Sequence, residues 1–204
     1  MIKIGVDIDN VVSNSYPAYL ERFNTRFNTN IRFEEIKEFY FLERYIENNI
    51  VSNSVEMINF VDEMLLDRDF HLTIKPVDES KRIIADWIKK GFQIHYITLR
   101  PVEVLDMTRD WLKKHGFYVK GVKLDLYDHT KGFESDVMYK KEVADKYKLD
   151  VFIEDSLDIA QVMEIPVFLL DKPWNQGKLK QNITRVSSWN EIEEKLPKVL
   201  KLRT

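Results

Sequence analysis

The chain has 204 residues, of which 44% are hydrophobic and 12% aromatic, a composition typical of an ordered globular protein with a sizeable core. A formal net charge of −3 excludes a globally basic surface, so we expect no polymeric nucleic acid as a partner. The absence of cysteine excludes disulfides and thiolate metal sites, and the lack of a long apolar run predicts a soluble, cytoplasmic protein with no membrane partner.

The first predicted element is a buried strand, because Ile2, Ile4 and Val6 form a short apolar run. Three helices follow, predicted from apolar side chains that recur every three or four residues: about 15–30, about 34–48, and 54 to near Arg68. The segment from 13 to 75 is therefore predicted to be all-helical.

From Pro76 onward, predicted strands alternate with predicted helices. The helices are 78–91, 101–116, about 138–148, 156–163 and about 188–201. The strands are 92–98, a short one near 122–124, 150–155 and 166–170. This alternation predicts an α/β fold with a doubly wound, mostly parallel sheet, in which the helical segment 13–75 is an insertion after the first strand.

Acidic residues and one threonine stand at the carboxyl ends of three predicted strands. Asp7 and Asp9 share a face after the first strand, Thr98 ends the second, and Glu154 and Asp155 end the strand at 150–155. Ligands of open parallel sheets bind beyond this edge. Because clustered carboxylates repel one another without a cation, and because oxygen donors suit Mg²⁺ better than Zn²⁺, the pattern predicts a magnesium site beside an anionic substrate.

Four short segments resemble, in their order, the motifs of haloacid dehalogenase (HAD)-type phosphohydrolases. They are DIDNV (7–11), ITLRP (97–101), a lysine within MYKKEVADKYKLD (138–150), and VFIEDS (151–156). The segments FNTRFNTNIRFEEIKEFY, TLRP and DKPWN narrow the resemblance to the 5′(3′)-deoxyribonucleotidases and their bacterial relatives. The resemblance implies a Rossmann-like HAD core formed by 1–12 and 76–204, with a small helical cap at 13–75.

The resemblance also implies an activity, that of a Mg²⁺-dependent phosphomonoesterase, most directly a 5′-nucleotidase for (deoxy)nucleoside monophosphates. Asp7 would attack phosphorus and form an aspartyl phosphate, and Asp9 would protonate the leaving oxygen and then activate water. Thr98 and a motif lysine would bind phosphate oxygens. Counting back from the strand at 150–155 favours Lys140, with the adjacent Lys141 as the alternative.

The same resemblance implies a set of metal ligands, and residues of the second motif and of the cap are candidates for substrate contacts. Magnesium would be held by Asp7, by the backbone carbonyl of Asp9 and by Asp155, with Glu154 beside them. Arg100 is predicted to contact the phosphate or another part of the substrate, or alternatively to form an ordinary salt bridge. An aromatic cluster in the cap is interpreted either as a stacking surface for a nucleobase or as packing: Phe39, Tyr40, Phe41 and Tyr45.

Two further functions use the same residues. A HAD-type phosphatase for another small phosphate ester, such as a sugar phosphate or a phosphorylated cofactor, would have the same core and a different cap. A noncatalytic phospho-ligand-binding module is disfavoured, because such a protein would be expected to lack Asp7 or Asp9. Nicotinamide or ATP binding is disfavoured because the chain has only six glycines and neither a glycine-rich fingerprint nor a P-loop.

Two other features have no firm assignment from the sequence. The segment DKPWNQG (171–177) is interpreted either as a loop at the rim of the site or as a plain surface connection. The four histidines show no metal-ligand spacing, and we assign none of them a role: His71, His95, His115 and His129.

Overall fold

A parallel β-sheet forms the centre of the protein. The computed structural model describes residues 1–38, 41–48, 54–132 and 134–201. Its strands are β1 (Lys3–Val6), β2 (Gln93–Pro101), β3 (Lys123–Tyr127), β4 (Val151–Glu154), β5 (Val167–Leu170) and β6 (Ile183–Val186). They lie in the order β3-β2-β1-β4-β5-β6, and every neighbouring pair is parallel. The predicted α/β fold with a mostly parallel sheet is confirmed.

The helices differ from the sequence expectations in the inserted segment. They are α1 (Ser15–Phe27), α2 (Phe41–Asn48), α3 (Ser54–Leu66), α4 (Arg68–Thr73), α5 (Ser80–Lys89), α6 (Leu105–Lys114), α7 (Asp136–Tyr147), α8 (Leu157–Val162) and α9 (Trp189–Lys201). The helix expected at 34–48 is instead a 3₁₀ turn at Phe33–Glu35 followed by α2. The helix expected from 54 to near Arg68 ends before Asp67, whose side chain accepts a hydrogen bond from the Phe70 N–H at 3.0 Å and caps α4.

Helices cover both faces of the sheet because the strand side chains alternate between two hydrophobic cores. Val6 and Ile153 point into one core, which α5, α6 and α9 complete with Trp87, Trp111 and Trp189. Phe152 points into the other core, which α7 and α8 complete. This arrangement confirms the doubly wound prediction, since strands buried on both faces are typical of such sheets.

Close contact between β1 and β4 depends on Gly5. A Cβ atom built at Gly5 would lie only 2.5 Å from the Phe152 ring and 2.6 Å from Leu149. A side chain of any size would therefore displace Phe152 from its core. Because β1 pairs with β4 on one side and with β2 on the other, this contact brings the carboxyl ends of three strands together.

The inserted helical segment has a hydrophobic core of its own. Its buried side chains come from α1, α2 and α3 and from the turn that joins α1 to α2: Tyr16, Leu20, Phe23, Ile31, Ile36, Leu42, Ile46, Met57, Val61 and Met64. Phe41 and Tyr45 are partly buried against this core, with their rings stacked 6.0 Å apart. They pack within the helical segment, whereas Phe39 and Tyr40 lie outside the described residues.

The chain enters and leaves the helical segment through two adjoining stretches. The Asn14 N–H donates to the Lys75 carbonyl at 2.9 Å, and the Val77 N–H donates to the Val12 carbonyl at 2.8 Å. Ser13 and Pro76 form an antiparallel bridge between these bonds. The segment is therefore attached to the sheet by a narrow two-stranded connection.

Within the described ranges, no helix is both long enough and apolar enough to cross a membrane.

Candidate active site

The carboxyl ends of β1, β2 and β4 bring the predicted site residues to one edge of the sheet. Asp7 follows β1, Thr98 lies within β2, and Asp155 follows β4. Helix α7 supplies Lys140, whose ammonium lies beside Asp7 and Glu154 at this edge. Parallel strands place their carboxyl ends together, so residues far apart in sequence meet here.

Three buried carboxylates form an acidic cluster, defined here as Asp7, Glu154 and Asp155. One carboxylate oxygen from each residue lies within 4.8 Å of the other two. Burial, together with the charges of Glu154 and Asp9, raises the pKa of Asp7 to about 7, although Lys140 opposes the shift. Burial and the charges of Glu154 and Asp7 also raise the pKa of Asp155 well above its usual value. Several negative charges away from water are costly, and a divalent cation would offset that cost.

Lys140 joins two members of the acidic cluster. Its Nζ lies 2.8 Å from Asp7 Oδ1 and 2.9 Å from Glu154 Oε2. Burial by itself lowers the pKa of Lys140, but the two carboxylates outweigh burial and raise that pKa above its ordinary value. Lys141 instead lies 2.7 Å from Asp145 on the outer side of α7. Of the two lysines considered from the sequence, Lys140 is the one that the structure brings to the cluster.

Glu154 is fully engaged by protein donors. Besides the ammonium of Lys140, its side chain accepts hydrogen bonds from the backbone N–H groups of Asp155 at 3.0 Å and Ser156 at 3.1 Å. This carboxylate therefore orients Lys140 and the turn after β4, which fits the predicted place of Glu154 beside the metal ligands.

Asp155, unlike Glu154, has no hydrogen-bond donors at its carboxylate within the part of the chain that the structure describes. Both of its carboxylate oxygens are buried, and neither has a hydrogen-bond partner among the described residues. Buried acceptors without partners are costly and rare in native proteins. Two such oxygens beside Asp7, in a cluster that contains only oxygen donors, fit a hard divalent cation such as Mg²⁺.

Asp9 lies outside the acidic cluster and is paired with Arg100. Nη2 of Arg100 lies 2.6 Å from Asp9 Oδ1, and Nε lies 2.8 Å from Oδ2, so the contact is bidentate. The Ser15 hydroxyl donates to Asp9 Oδ1 at 2.6 Å. Burial raises the pKa of Asp9, but the charge and hydrogen bonds of Arg100 outweigh it and lower that pKa to about 2. Arg100 thus forms the salt bridge that was one of its two predicted roles.

Thr98 and Arg100 are positioned by an irregularity in β2. The pairing of β2 with β3 shifts register between Thr98 and Pro101, and such bulges redirect side chains near active sites. Thr98 is buried, and its hydroxyl accepts a hydrogen bond from the Arg100 N–H at 3.2 Å. Both side chains therefore lie at the same edge as Asp7 and Asp9.

A cavity of about 240 Å³ opens beside Asp9 and Arg100, between the helical segment and the sheet. Its walls are mainly apolar, with contributions from α1 to α4, from β2 and from the turn after β2: Tyr16, Tyr19, Leu42, Val61, Met64, Leu65, His71, Leu99, Pro101 and Val104. Phe41 and Tyr45 are not among the lining residues. A larger groove of about 650 Å³ lies along α1 and α4 and contains none of the strand-end residues.

The segment DKPWNQG is fixed to the strand end that carries Asp155. Nδ2 of the buried Asn175 donates to the carbonyls of Asp155 and Leu170, both at 2.7 Å. Its Oδ1 accepts from the Lys172 N–H at 3.2 Å and from Arg185. This segment is therefore at the rim of the site, and sequence reasoning left that question open.

Trp174, in the same segment, contacts the helical insertion. Its ring lies 5.3 Å from Tyr16 and 5.5 Å from Phe33. Burial lowers the pKa of the neighbouring Lys172, against the opposing charges of Asp155 and Asp171. The segment thus links the helical insertion to the turn after β4 that carries Asp155.

Comparison with known proteins identifies the family. A family model described as "5' nucleotidase, deoxy (Pyrimidine), cytosolic type C protein" matches residues 1–202. The chain belongs to this family. "Putative nucleotidase BH1399" of Halalkalibacterium halodurans is 24% identical over 196 residues, which cover 94% of this chain and 90% of that protein.

Solved structures show the same fold. A "predicted phosphatase" from Clostridium acetobutylicum superposes with a TM-score of 0.66 at 13% identity, covering 97% of this chain and 98% of that one. A HAD family hydrolase from Deinococcus radiodurans, with bound phosphate and sodium, gives 0.62 at 12% identity, covering 97% and 95%. The predicted HAD fold and membership of a phosphatase and nucleotidase family of hydrolases are confirmed.

Sequence reasoning missed three residues of the site. Ser15 donates to Asp9, Asn175 holds the Asp155 carbonyl, and His71 lines the cavity. The asparagine lies in the DKPWN match, which was a usable signal. Ser15 and His71 lie on helices of the insertion, where no local pattern distinguishes them.

Proposed function

We propose that this hydrolase is a Mg²⁺-dependent phosphomonoesterase that converts (deoxy)nucleoside monophosphates to nucleosides through an aspartyl phosphate on Asp7. The observation that carries the proposal is Asp155, whose two buried and unpartnered carboxylate oxygens lie beside Asp7 and Lys140. Asp7, the backbone carbonyl of Asp9 and Asp155 would hold the metal. When bound, Mg²⁺ supplies positive charge that neutralises phosphate oxygens and orients the phosphoryl group.

The two oxygens of Asp7 have different roles in this proposal. Oδ1 lies 2.8 Å from Lys140 Nζ, and Oδ2 would attack phosphorus in line with the leaving group. Lys140 and the Thr98 hydroxyl would bind the nonbridging phosphate oxygens, whose charge is greatest in the transition state. Their burial excludes water and strengthens that attraction.

Asp9 must change partners during the reaction. Its carboxylate is ionised in the bidentate contact with Arg100, and an ionised carboxylate cannot protonate a leaving oxygen. We infer that the arriving phosphate monoester, in its monoanionic form, draws Arg100 away and gives its proton to Asp9, which passes that proton to the leaving oxygen as Asp7 takes the phosphoryl group. Asp9 then takes a proton from the water that attacks the aspartyl phosphate, and this attack releases phosphate and restores the Asp7 carboxylate. Arg100 would then form the salt bridge with Asp9 before the substrate binds and contact the phosphate afterwards, so both of its predicted roles would apply in turn.

The helical insertion acts in this proposal as a cap at residues 13–75. The cavity between the insertion and the sheet lies next to Asp9, where the leaving group must stand. The family description supports a nucleoside as the leaving group and the cytoplasm as the location of the activity.

Another small phosphate ester is the second candidate substrate class. The cavity of about 240 Å³ lies below the usual range for drug-sized ligands, which favours a compact leaving group. A sugar phosphate or a phosphorylated cofactor of similar size would use the same acidic cluster.

The proposal is tested by hydrolysis of 4-nitrophenyl phosphate and of a panel of nucleoside monophosphates and sugar phosphates, in Mg²⁺ and in EDTA. We expect Mg²⁺-dependent turnover that Asp7→Asn abolishes and that Asp106→Asn, a change at an exposed carboxylate, leaves intact. Mg²⁺-dependent turnover of other esters but not of nucleotides would support the mechanism and reject nucleotides as the substrate. No Mg²⁺-dependent turnover on any ester would reject the mechanism in favour of a noncatalytic binding module.

A further inference from the structure

His71 is a buried polar side chain without an evident structural role. It lies on α4 and is only 2% exposed, and neither ring nitrogen makes a hydrogen bond of normal geometry with any described residue, the Met64 backbone contributing only a weak interaction. The ring contacts aromatic neighbours, with centroids 5.7 Å from Tyr19 and 5.8 Å from Phe70. A buried donor and acceptor without partners carry a desolvation cost that a ligand can remove.

The position of His71 would bring its ring into contact with the substrate. The residue lines the same cavity as Asp9 and Arg100, and the proposed function assigns this cavity to the leaving group. Other polar groups of that wall already have partners: Asp9 binds Arg100 and Ser15, and the Asn10 side chain accepts from the Tyr16 N–H at 2.9 Å. His71 therefore retains hydrogen-bonding capacity that these neighbours have used.

The chemistry of the wall limits what His71 can recognise. Burial, with the charge of Arg100, lowers the pKa of His71 to about 4, so near neutral pH the ring offers one N–H donor and one nitrogen acceptor. The surrounding wall is apolar, through Leu42, Val61 and Met64, and would penalise a charged leaving group. The matching ligand is an uncharged group that carries its own donor or acceptor.

We propose that His71 is a specificity-determining residue that hydrogen-bonds an uncharged polar atom of the leaving group, either a sugar hydroxyl or the amide edge of a base. This inference rests on the proposed phosphomonoesterase function, because it assigns the cavity to the leaving group. It predicts that His71 contributes nothing to the hydrolysis of an ester whose leaving group has no such atom.

The test compares three esters: a pyrimidine nucleoside 5′-monophosphate, ribose 5-phosphate and phenyl phosphate. Phenylalanine replaces the ring of His71 without its nitrogens, and asparagine restores a donor and an acceptor. His95→Phe is the matched control, because His95 is 1% exposed, also lacks a partner for either nitrogen within the described residues, and packs on Tyr147 away from the cavity. Thermal unfolding of each variant checks that it is folded.

We expect His71→Phe to lower kcat/KM for the nucleotide by about 10-fold or more and to leave phenyl phosphate within about 3-fold. His71→Asn should recover part of the loss, and His95→Phe should leave the ratio between the esters unchanged. A parallel loss on ribose 5-phosphate assigns the contact to the sugar, and a loss confined to the nucleotide assigns it to the base.

Equal effects of His71→Phe on all three esters, or no effect on any, would overturn the inference. If His71→Phe fails to fold, the same comparison with the apolar variants His71→Leu and His71→Met decides, since a lost contact changes the ratio between esters and a damaged core does not. A wild-type protein that hydrolyses none of the three esters rejects the proposed function and this inference together, and is thereby distinguished from failure of the His71 contact alone.

Discussion

Replacing Asp7 by asparagine should stabilise the metal-free protein while it abolishes hydrolysis. Asp7 is buried beside Glu154 and Asp155, so the folded state holds its proton more tightly than the unfolded chain does. The asparagine side chain has the shape of the carboxyl group and stays neutral at every pH. The variant therefore removes a buried negative charge that destabilises the metal-free fold but is needed for the proposed reaction.

The magnitude follows from the pKa of Asp7, which rises from 3.8 to about 7. Because the folded state binds the proton more tightly, Asp7 favours folding fully below pH 3.8, and this contribution is lost as the pH rises through about 7. A shift of about 3 pKa units corresponds to ~4 kcal/mol. Asp7→Asn should thus raise the free energy of unfolding by at most ~4 kcal/mol at pH 8, and by less than half of that at pH 5.

Urea denaturation of both proteins at pH 5 and pH 8, in EDTA and in Mg²⁺, measures the effect. In EDTA the advantage of Asp7→Asn should grow with pH, and in saturating Mg²⁺ it should shrink, because the cation stabilises the wild-type carboxylates. An Asp7→Asn protein no more stable than the wild type at pH 8 in EDTA would refute the electrostatic account of the cluster.

Three further predictions, one of them with a matched control, concern the charges, hydrogen bonds and packing around the site. Lys140→Met should abolish phosphatase activity and lower the free energy of unfolding, measured in urea, by about 3–5 kcal/mol, because it leaves the buried carboxylates of Asp7 and Glu154 unpaired. The control Lys141→Met removes an exposed ion pair and should change the free energy of unfolding by less than about 1 kcal/mol. Equal effects of the two substitutions would contradict the choice of Lys140 as the motif lysine. Asn175→Ala should lower the free energy of unfolding by about 2–4 kcal/mol, because the buried carbonyls of Asp155 and Leu170 lose their donor, and should weaken Mg²⁺ binding measured by calorimetry. An unchanged Mg²⁺ affinity would show that Asn175 does not position the metal ligands. Gly5→Ala should lower Tm by an amount equivalent to about 1–3 kcal/mol, because its Cβ overlaps the Phe152 ring; an unchanged Tm would show that Phe152 has room to move.

Local patterns predicted most of the sheet, and the exceptions have local causes. Strands such as 150–155 are continuous apolar runs, whose period and length are visible in the sequence. The four residues of β6 were missed because only its two ends, Ile183 and Val186, are apolar and buried. The break between α3 and α4 escaped notice because Asp67 caps a helix within a continuous helical periodicity.

The sequence also predicted that the acids would meet, because this follows from strand direction alone. Asp7 and Asp155 each follow a strand of one parallel sheet, so topology brings them to the same edge without any detail of packing. The choice between Lys140 and Lys141 needed the rotation of α7 about its axis. That rotation is set by Tyr139, Val143 and Ala144, which α7 buries against the sheet.

The sequence by itself determined the alternation of strands and helices, the strand ends that carry carboxylates and the family. Only the tertiary structure decided which side chains pair across long stretches of chain, such as Arg100 with Asp9, Asn175 with Asp155, and His71 with the cavity wall. The physical reason is that periodicity depends on neighbours within a few residues, whereas these contacts depend on how separately folded segments pack against one another.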